Sequence, residues 1–271
     1  MDVGYVIPSL NRPGWRSTLR DQLNQFLGIT QTYDLFEKAR QNTNPGDASR
    51  DNTFLAVLEE TGISMASGDL WDRIPSSGPV IIIANHPFGG ADAIALSGLC
   101  LRKRKDTRVL ANAITAQLPG AADWLIPLQI LGENGATRSN RGAMKEALAL
   151  LRSGGLLVVF PAGAVSHWRS DLGKVADPEW SEHVARLSTK TGAPVLPVRF
   201  FGTNPTWFEI LGVLHPMIRS ALIVRVFLAT RGGKIVFRGG EMVESTALKE
   251  MPDAKTMTAH LRNTVETIPA P

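Results

Sequence analysis

The chain has 271 residues, 44% hydrophobic and 20% charged, with a formal net charge of +4 and one cysteine. This balance suits one sizeable globular domain with a smaller appendage, and the longest apolar runs, "VIIIA" and "LLVVF", fall far short of the roughly 18 to 20 residues that cross a bilayer. A lone cysteine excludes a disulfide framework and a cysteine-cluster metal site, the start "MDVGYVIPSLNRPGWR" has no secretory pattern, and the mild positive excess admits anionic partners without calling for nucleic acid.

In chain order, residues 1 to 75 read as a helical region. "WRSTLRDQLNQFLG" and "DNTFLAVLEETGI" carry apolar residues at spacings of three and four, and "NTNPGDASRD" separates them as a loop. Arg12, Arg16 and Arg20 share one face of the first helix, and Trp15, Leu19, Leu23 and Phe26 give it an apolar side. Residues 76 to 271 form the second unit, an α/β domain. Here the runs "PVIIIAN", "TRVLAN", "WLIPLQIL", "LLVVFP", "PVLPVRFFG", "ALIVRVFLA" and "KIVFRGG" read as strands, and "ADAIALSGLCLRK", "NRGAMKEALALLRSG" and "EWSEHVARLSTKTG" as helices. The alternation predicts a mixed, largely parallel sheet flanked by helices on both faces. "TRGGK", between the last two runs, predicts a hairpin and an antiparallel portion near the C-terminus. The tail reads as a closing helix interrupted near Pro252. Cys100, in "LSGLCL", reads as a packed core thiol. "RKRK" at 102 to 105 is either an anion-binding patch or a set of cations complementing a helix C-terminus.

The chemistry concentrates in "NHPFGGAD", residues 85 to 92. Sheets of this class hold ligands beyond the carboxyl ends of their strands, and His86 follows the strand "VIIIA" at that position. Gly89 and Gly90 permit a tight turn that folds Asp92 back toward the imidazole. A carboxylate on one ring nitrogen fixes the tautomer and supports the imidazolium formed when the other nitrogen takes a proton. The arrangement is a general base without an attached nucleophile, so the substrate's own hydroxyl or amine would attack. The competing structural reading makes Asp92 a helix cap and His86 a loop hydrogen-bonder. A serine hydrolase is disfavoured because the chain has no G-x-S-x-G. A metal site lacks further ligands: His167, His183, His215 and His260 have no H-E-x-x-H or H-x-H spacing.

"ANHPFGGADAIAL" resembles the first block of the glycerolipid acyltransferase superfamily, whose hallmark is N-H-x-x-x-x-D. Here five residues separate His86 from Asp92, a form associated with a bacterial branch of hemolysin-like and lyso-ornithine-lipid acyltransferases. "ILGENGATRSNRGAMKEAL", "VVFPAGAVSHW" and "APVLPVRFFGTNPTWF" follow in the order of the second, third and fourth blocks, so the resemblance covers roughly residues 70 to 240. It implies His86 and Asp92 as a catalytic dyad that acylates the hydroxyl of a lyso-lipid acceptor, with acyl-CoA or acyl carrier protein as donor and no cofactor. Asn85, Gly89 and Gly90 would border the substrate, the turn and helix amides meeting the oxyanion. Arg138 and Arg141, flanking "SN" ahead of a helix, suit an acceptor phosphate or carboxylate, or are surface arginines. Phe160, Pro161 and Gly163 match the third block, but Ala162 and Ala164 replace its glutamate and threonine; Ser166, His167 and Arg169 are the nearby polar replacements. The alanines weaken the family's usual acceptors and leave two alternatives open, a noncatalytic lipid binder and an amine N-acyltransferase. Trp207, Phe208, Ile210, Leu211, Val213 and Leu214 form an apolar patch that either covers the sheet or meets lipid. The expected location is cytoplasmic and peripheral on the inner face of the membrane.

Overall fold

The computed structural model describes the backbone of residues 17–129, 136–209 and 216–271, and the side chains of these except 17–21, 136–139 and 216–221. In chain order the elements are α1 (Ser17–Phe26), α2 (Ile29–Gln41), α3 (Thr53–Thr61), β1 (Ser64–Ala66), α4 (Leu70–Arg73), β2 (Val80–Ala84), α5 (Gly90–Lys103), β3 (Thr107–Asn112), β4 (Leu125–Leu128), α6 (Ala136–Arg152), β5 (Leu156–Val159), β6 (His167–Arg169), β7 (Lys174–Ala176), α7 (His183–Thr191), β8 (Val195–Phe201), α8 (Pro216–Ala229), β9 (Lys234–Gly239), α9 (Ser245–Lys249) and α10 (Ala254–Glu266).

The main sheet has the order β1-β9-β8-β2-β5-β3-β4, and every neighbouring pair is parallel except β8 and β9. Its middle strands are covered on both faces, which is why they read as unbroken apolar runs. In β2, Val80, Ile82 and Ala84 face one core with α2, α3 and α5, while Ile81 and Ile83 face a second core with α6, α7 and α10. Burying each of these isoleucines contributes about 1.5–3 kcal/mol. The chain leaving β2 becomes α5 on the first face, and the chain leaving the adjacent β5 reaches α7 on the second. Connections that part to opposite faces open a crevice at the carboxyl edge, the place where such sheets hold ligands.

Two expectations are corrected. "ALIVRVFLA" is not a strand but part of α8, so no hairpin spans "TRGGK", and the antiparallel portion is β8 against β9 with α8 between them. The first 75 residues are not wholly helical: Ser64–Ala66 pair with Lys234–Val236 as the edge strand β1. Leu35, Phe36 and Phe54 through Leu58 share the core of β2 and α5. Arg12, Arg16 and Trp15 and the side chains of Leu19 and Arg20 lie outside the described residues. Cys100 is buried, and burial pushes its thiol well above the usual range. Among the described residues no helix is long and apolar enough to cross a membrane, and no group of three His, Cys, Asp or Glu side chains stands at metal-binding distance.

Candidate active site

The carboxyl ends of three adjacent strands meet at His86. The residue follows β2, Phe160 follows β5, and Gly202 and Asn204 follow β8. Gly89 caps α5 at φ 72, ψ −99, a left-handed conformation open to glycine. Space there is also closed to a side chain, since a Cβ on Gly89 would stand 2.6 Å from Ile223 Cδ1 and 2.9 Å from Val165 Cγ2. This turn carries Asp92 back to the strand end. Its carboxylate, with no exposed surface, accepts the backbone N–H of Phe88 at 2.9 Å, Gly89 at 3.3 Å and Ala93 at 2.7 Å. Asp92 is therefore a helix-capping residue and, in the same position, the neighbour of His86.

His86 Nδ1 lies 3.0 Å from Asp92 Oδ1. The contact is an ion-pair approach, not an aligned hydrogen bond, and Nδ1 is buried. The side chain keeps 16% exposure. Phe160 packs on the ring at 4.3 Å between centroids, tilted by 35°. Burial pushes the imidazole toward its neutral form, but the charge and contact of Asp92, with the charge of Asp177 behind them, outweigh it and hold the pKa above the ordinary histidine value.

Asp177 went unrecognised in the sequence. It is 5% exposed, and its Oδ1 accepts the His86 backbone N–H at 3.1 Å and the Ser166 hydroxyl, while Oδ2 accepts Trp180 Nε1 at 2.9 Å. The signal that could have found it is "ADPEW", an aspartate three residues ahead of a buried tryptophan.

The other expected site residues have distinct placements. Asn85 donates to Phe200 O at 3.0 Å and accepts Phe200 N–H at 2.7 Å, tying the end of β2 to β8. Ser166 is buried, its hydroxyl given to Asp177 and its N–H to His86 O at 2.9 Å. Pro161 is buried with its carbonyl accepting Ser181 N–H, and Gly163 closes an exposed turn onto Phe160 O. His167 Nδ1 lies 3.3 Å from Val165 O. Arg169 is forked onto Asp171 at 2.9 and 2.7 Å. Arg138 and Arg141 lie inside α6, not ahead of it; Arg141 is exposed, and the Arg138 side chain lies outside the described residues. Gly90 meets Phe227 of α8, and the Gly89 amide is already given to Asp92. The cations of "RKRK" are engaged within the chain. Arg104 is buried, bonding the carbonyls of Pro75, Gly78 and Gly154 as well as Asp106; Arg102 and Lys103 stack on Trp71; Lys105 pairs with Asp51. In the fourth-block patch Phe208 is core and Trp207 is 43% exposed, while Ile210, Leu211, Val213 and Leu214 lie outside the described residues.

The helix α8 roofs the site. Ile223 and Phe227 reach the Gly89–Gly90 turn, and Arg225 ties the helix to the α1–α2 junction, donating to Phe26 O at 2.5 Å with its guanidinium 4.8 Å from the Phe26 ring.

Residues 71–200 match the family model described as Acyltransferase. A lyso-glycine lipid O-acyltransferase of Phocaeicola vulgatus is 32% identical over 139 residues, covering 51% of this chain and 47% of that protein. One of Bacteroides thetaiotaomicron is 30% identical over 139 residues, covering 51% and 48%. The chain thus matches about half the length of these relatives. The crystal structure of the 1-acyl-sn-glycerophosphate (LPA) acyltransferase PlsC from Thermotoga maritima aligns with 90% of this chain and 92% of that one, at TM-score 0.46 and 19% identity. The matched span holds His86, Asp92 and Asp177 together, and it is residues 71–200 of this chain that carry the similarity to the acyltransferase family.

Proposed function

We propose that this protein transfers a fatty acyl group from a thioester donor to the hydroxyl of a lyso-lipid, with His86 as general base and Asp92 as its orienting carboxylate. The observation that carries the reading is a half-buried imidazole 3.0 Å from a wholly buried carboxylate at the carboxyl edge of the sheet. With Nδ1 turned to Asp92, Nε2 is the nitrogen that takes the acceptor's proton as its oxygen bonds the thioester carbon. The tetrahedral intermediate then collapses, the carbon–sulfur bond breaks, and the imidazolium returns the proton to the departing thiolate. Because Asp92 takes the amides of Phe88, Gly89 and Ala93, the oxyanion falls to the amides of Gly90 and Ala91 in the first turn of α5. The activity named for both relatives supports a lyso-lipid acceptor, and the thioester is carried by coenzyme A or acyl carrier protein.

The protein gathers this substrate at a membrane surface. Trp168 and Leu172, on the antiparallel hairpin formed by β6 and β7, are 45% and 48% exposed and offer an apolar contact to that surface. Replacing Trp168 and Leu172 together by serine should weaken sedimentation with phosphatidylglycerol vesicles, and unchanged binding would remove the β6–β7 hairpin from the contact.

The reaction is tested by thiol release from acyl-CoA and acyl carrier protein, with and without lyso-lipids, for the native protein and His86→Ala. Acceptor-dependent release that vanishes in the variant supports the reading. Equal release by both refutes the role of His86, and no release by folded protein from either donor favours lipid binding without turnover.

A further inference from the structure

We infer that Asp177 is a positioning residue for the transfer reaction, binding the His86 backbone and both roots of the β6–β7 hairpin into one buried unit that holds the imidazole in a single orientation. The inference rests on the proposed transfer at His86 and adds a second carboxylate to it.

The argument starts where the sheet ends. The β2 ladder stops at Ala84, so His86 lies beyond the strand pairing that would fix its peptide groups. Two hydrogen bonds from another part of the chain replace that ladder: the His86 N–H donates to Asp177 Oδ1 at 3.1 Å, and its C=O accepts the Ser166 N–H at 2.9 Å. Ser166 and Asp177 stand immediately before β6 and after β7, and the Ser166 hydroxyl closes the loop between them. The hairpin 167–176 is thus rooted on the catalytic histidine's own peptide.

The chemistry at this point demands a carboxylate. Three donors, the His86 amide, the Ser166 hydroxyl and the Trp180 indole, converge on two oxygens. An asparagine would turn its NH2 against at least one of them, whereas a carboxylate accepts all three and brings no donor of its own. The charge has a second effect. Arg262 of α10 bonds the backbone carbonyls of Asp177 and Pro178, not the carboxylate, and is itself paired with Glu266 at 2.7 Å. From α5 the charged neighbour of the imidazole is Asp92, and from α8 the turn beside it receives the apolar Ile223 and Phe227. Among the described residues, Asp92 and Asp177 are the charges that act on His86, and both favour its protonated form.

The test measures the pH profile of kcat/KM for acceptor-dependent thiol release in the native protein, Asp177→Asn, Ser166→Ala and Trp180→Phe, alongside the His86 imidazole titration by NMR. In Asp177→Asn, kcat/KM should fall about ten- to a hundredfold, mainly in kcat, as expected for a misplaced catalytic group, and both the acid limb and the imidazole titration should move to lower pH. Ser166→Ala and Trp180→Phe keep the charge, so the rate should fall with the acid limb in place. An Asp177→Asn profile that superimposes on the native one, or a loss of rate with the limb and titration unmoved, overturns the inference. Should that variant fail to fold, native rates in both Ser166→Ala and Trp180→Phe overturn it equally. If the native protein releases no thiol but the imidazole titration still shifts in Asp177→Asn, the transferase reading fails while the hold of Asp177 on His86 stands.

Discussion

Replacing Asp92 by asparagine separates the two jobs of this residue. The native carboxylate serves the amides of Phe88, Gly89 and Ala93 and faces His86 Nδ1. Asparagine offers one acceptor oxygen to those claimants and presents an NH2 to the rest. One buried donor left unpaired costs about 1–3 kcal/mol, which for a chain of this size lowers Tm by about 2–10 °C. The catalytic loss is larger, because the amide neither holds the imidazole tautomer nor supports imidazolium: kcat/KM should fall about a thousand- to ten-thousandfold, or about 4–5.5 kcal/mol. The two effects are read separately by thermal unfolding and by acceptor-dependent thiol release at a temperature where the variant is folded. A folded Asp92→Asn protein within tenfold of native activity would refute the dyad and leave Asp92 a helix cap alone.

Four further outcomes follow from the geometry. Since Asp92 and Asp177 raise the His86 pKa against the effect of burial, activity should fall with acid along a limb above the ordinary histidine value of about 6.5; a limb below about 6 contradicts the assignment. By linkage, the folded state binds that proton more tightly than the unfolded chain, so the stability it contributes is complete below about 6.5 and lost as pH rises through the folded pKa; the Tm advantage over His86→Gln should shrink across that window. Gly89→Ala forces a side chain into φ 72 and against Ile223, destabilising by about 1–3 kcal/mol, and an unchanged denaturation midpoint would show that the turn relaxes freely. Arg104→Ala strips a buried guanidinium from three carbonyls and Asp106, with an expected loss of about 3–5 kcal/mol and no change in donor KM. Weakened donor binding with native stability would restore "RKRK" as an anion site.

Much of the fold is local information. The strands β2 and β5 stand out because a strand buried on both faces reads as an uninterrupted apolar run, and His86 with Asp92 stands out because six positions and two glycines bring them together within one turn. What the tertiary structure decided lies elsewhere. The apolar run in α8 has no polar alternation to mark its period, and its helical form follows from packing Ile223 and Phe227 onto the Gly89–Gly90 turn, although Pro216 at its first position was a helix-start signal. Arg104 shares its short run with three other cations, and only the convergence of the carbonyls at 75, 78 and 154 distinguishes it as buried. Asp177 stands 91 residues from His86. Periodicity and spacing describe neighbours along the chain, whereas a carboxylate that meets a peptide across two strands and a hairpin is placed by the packing of all of them.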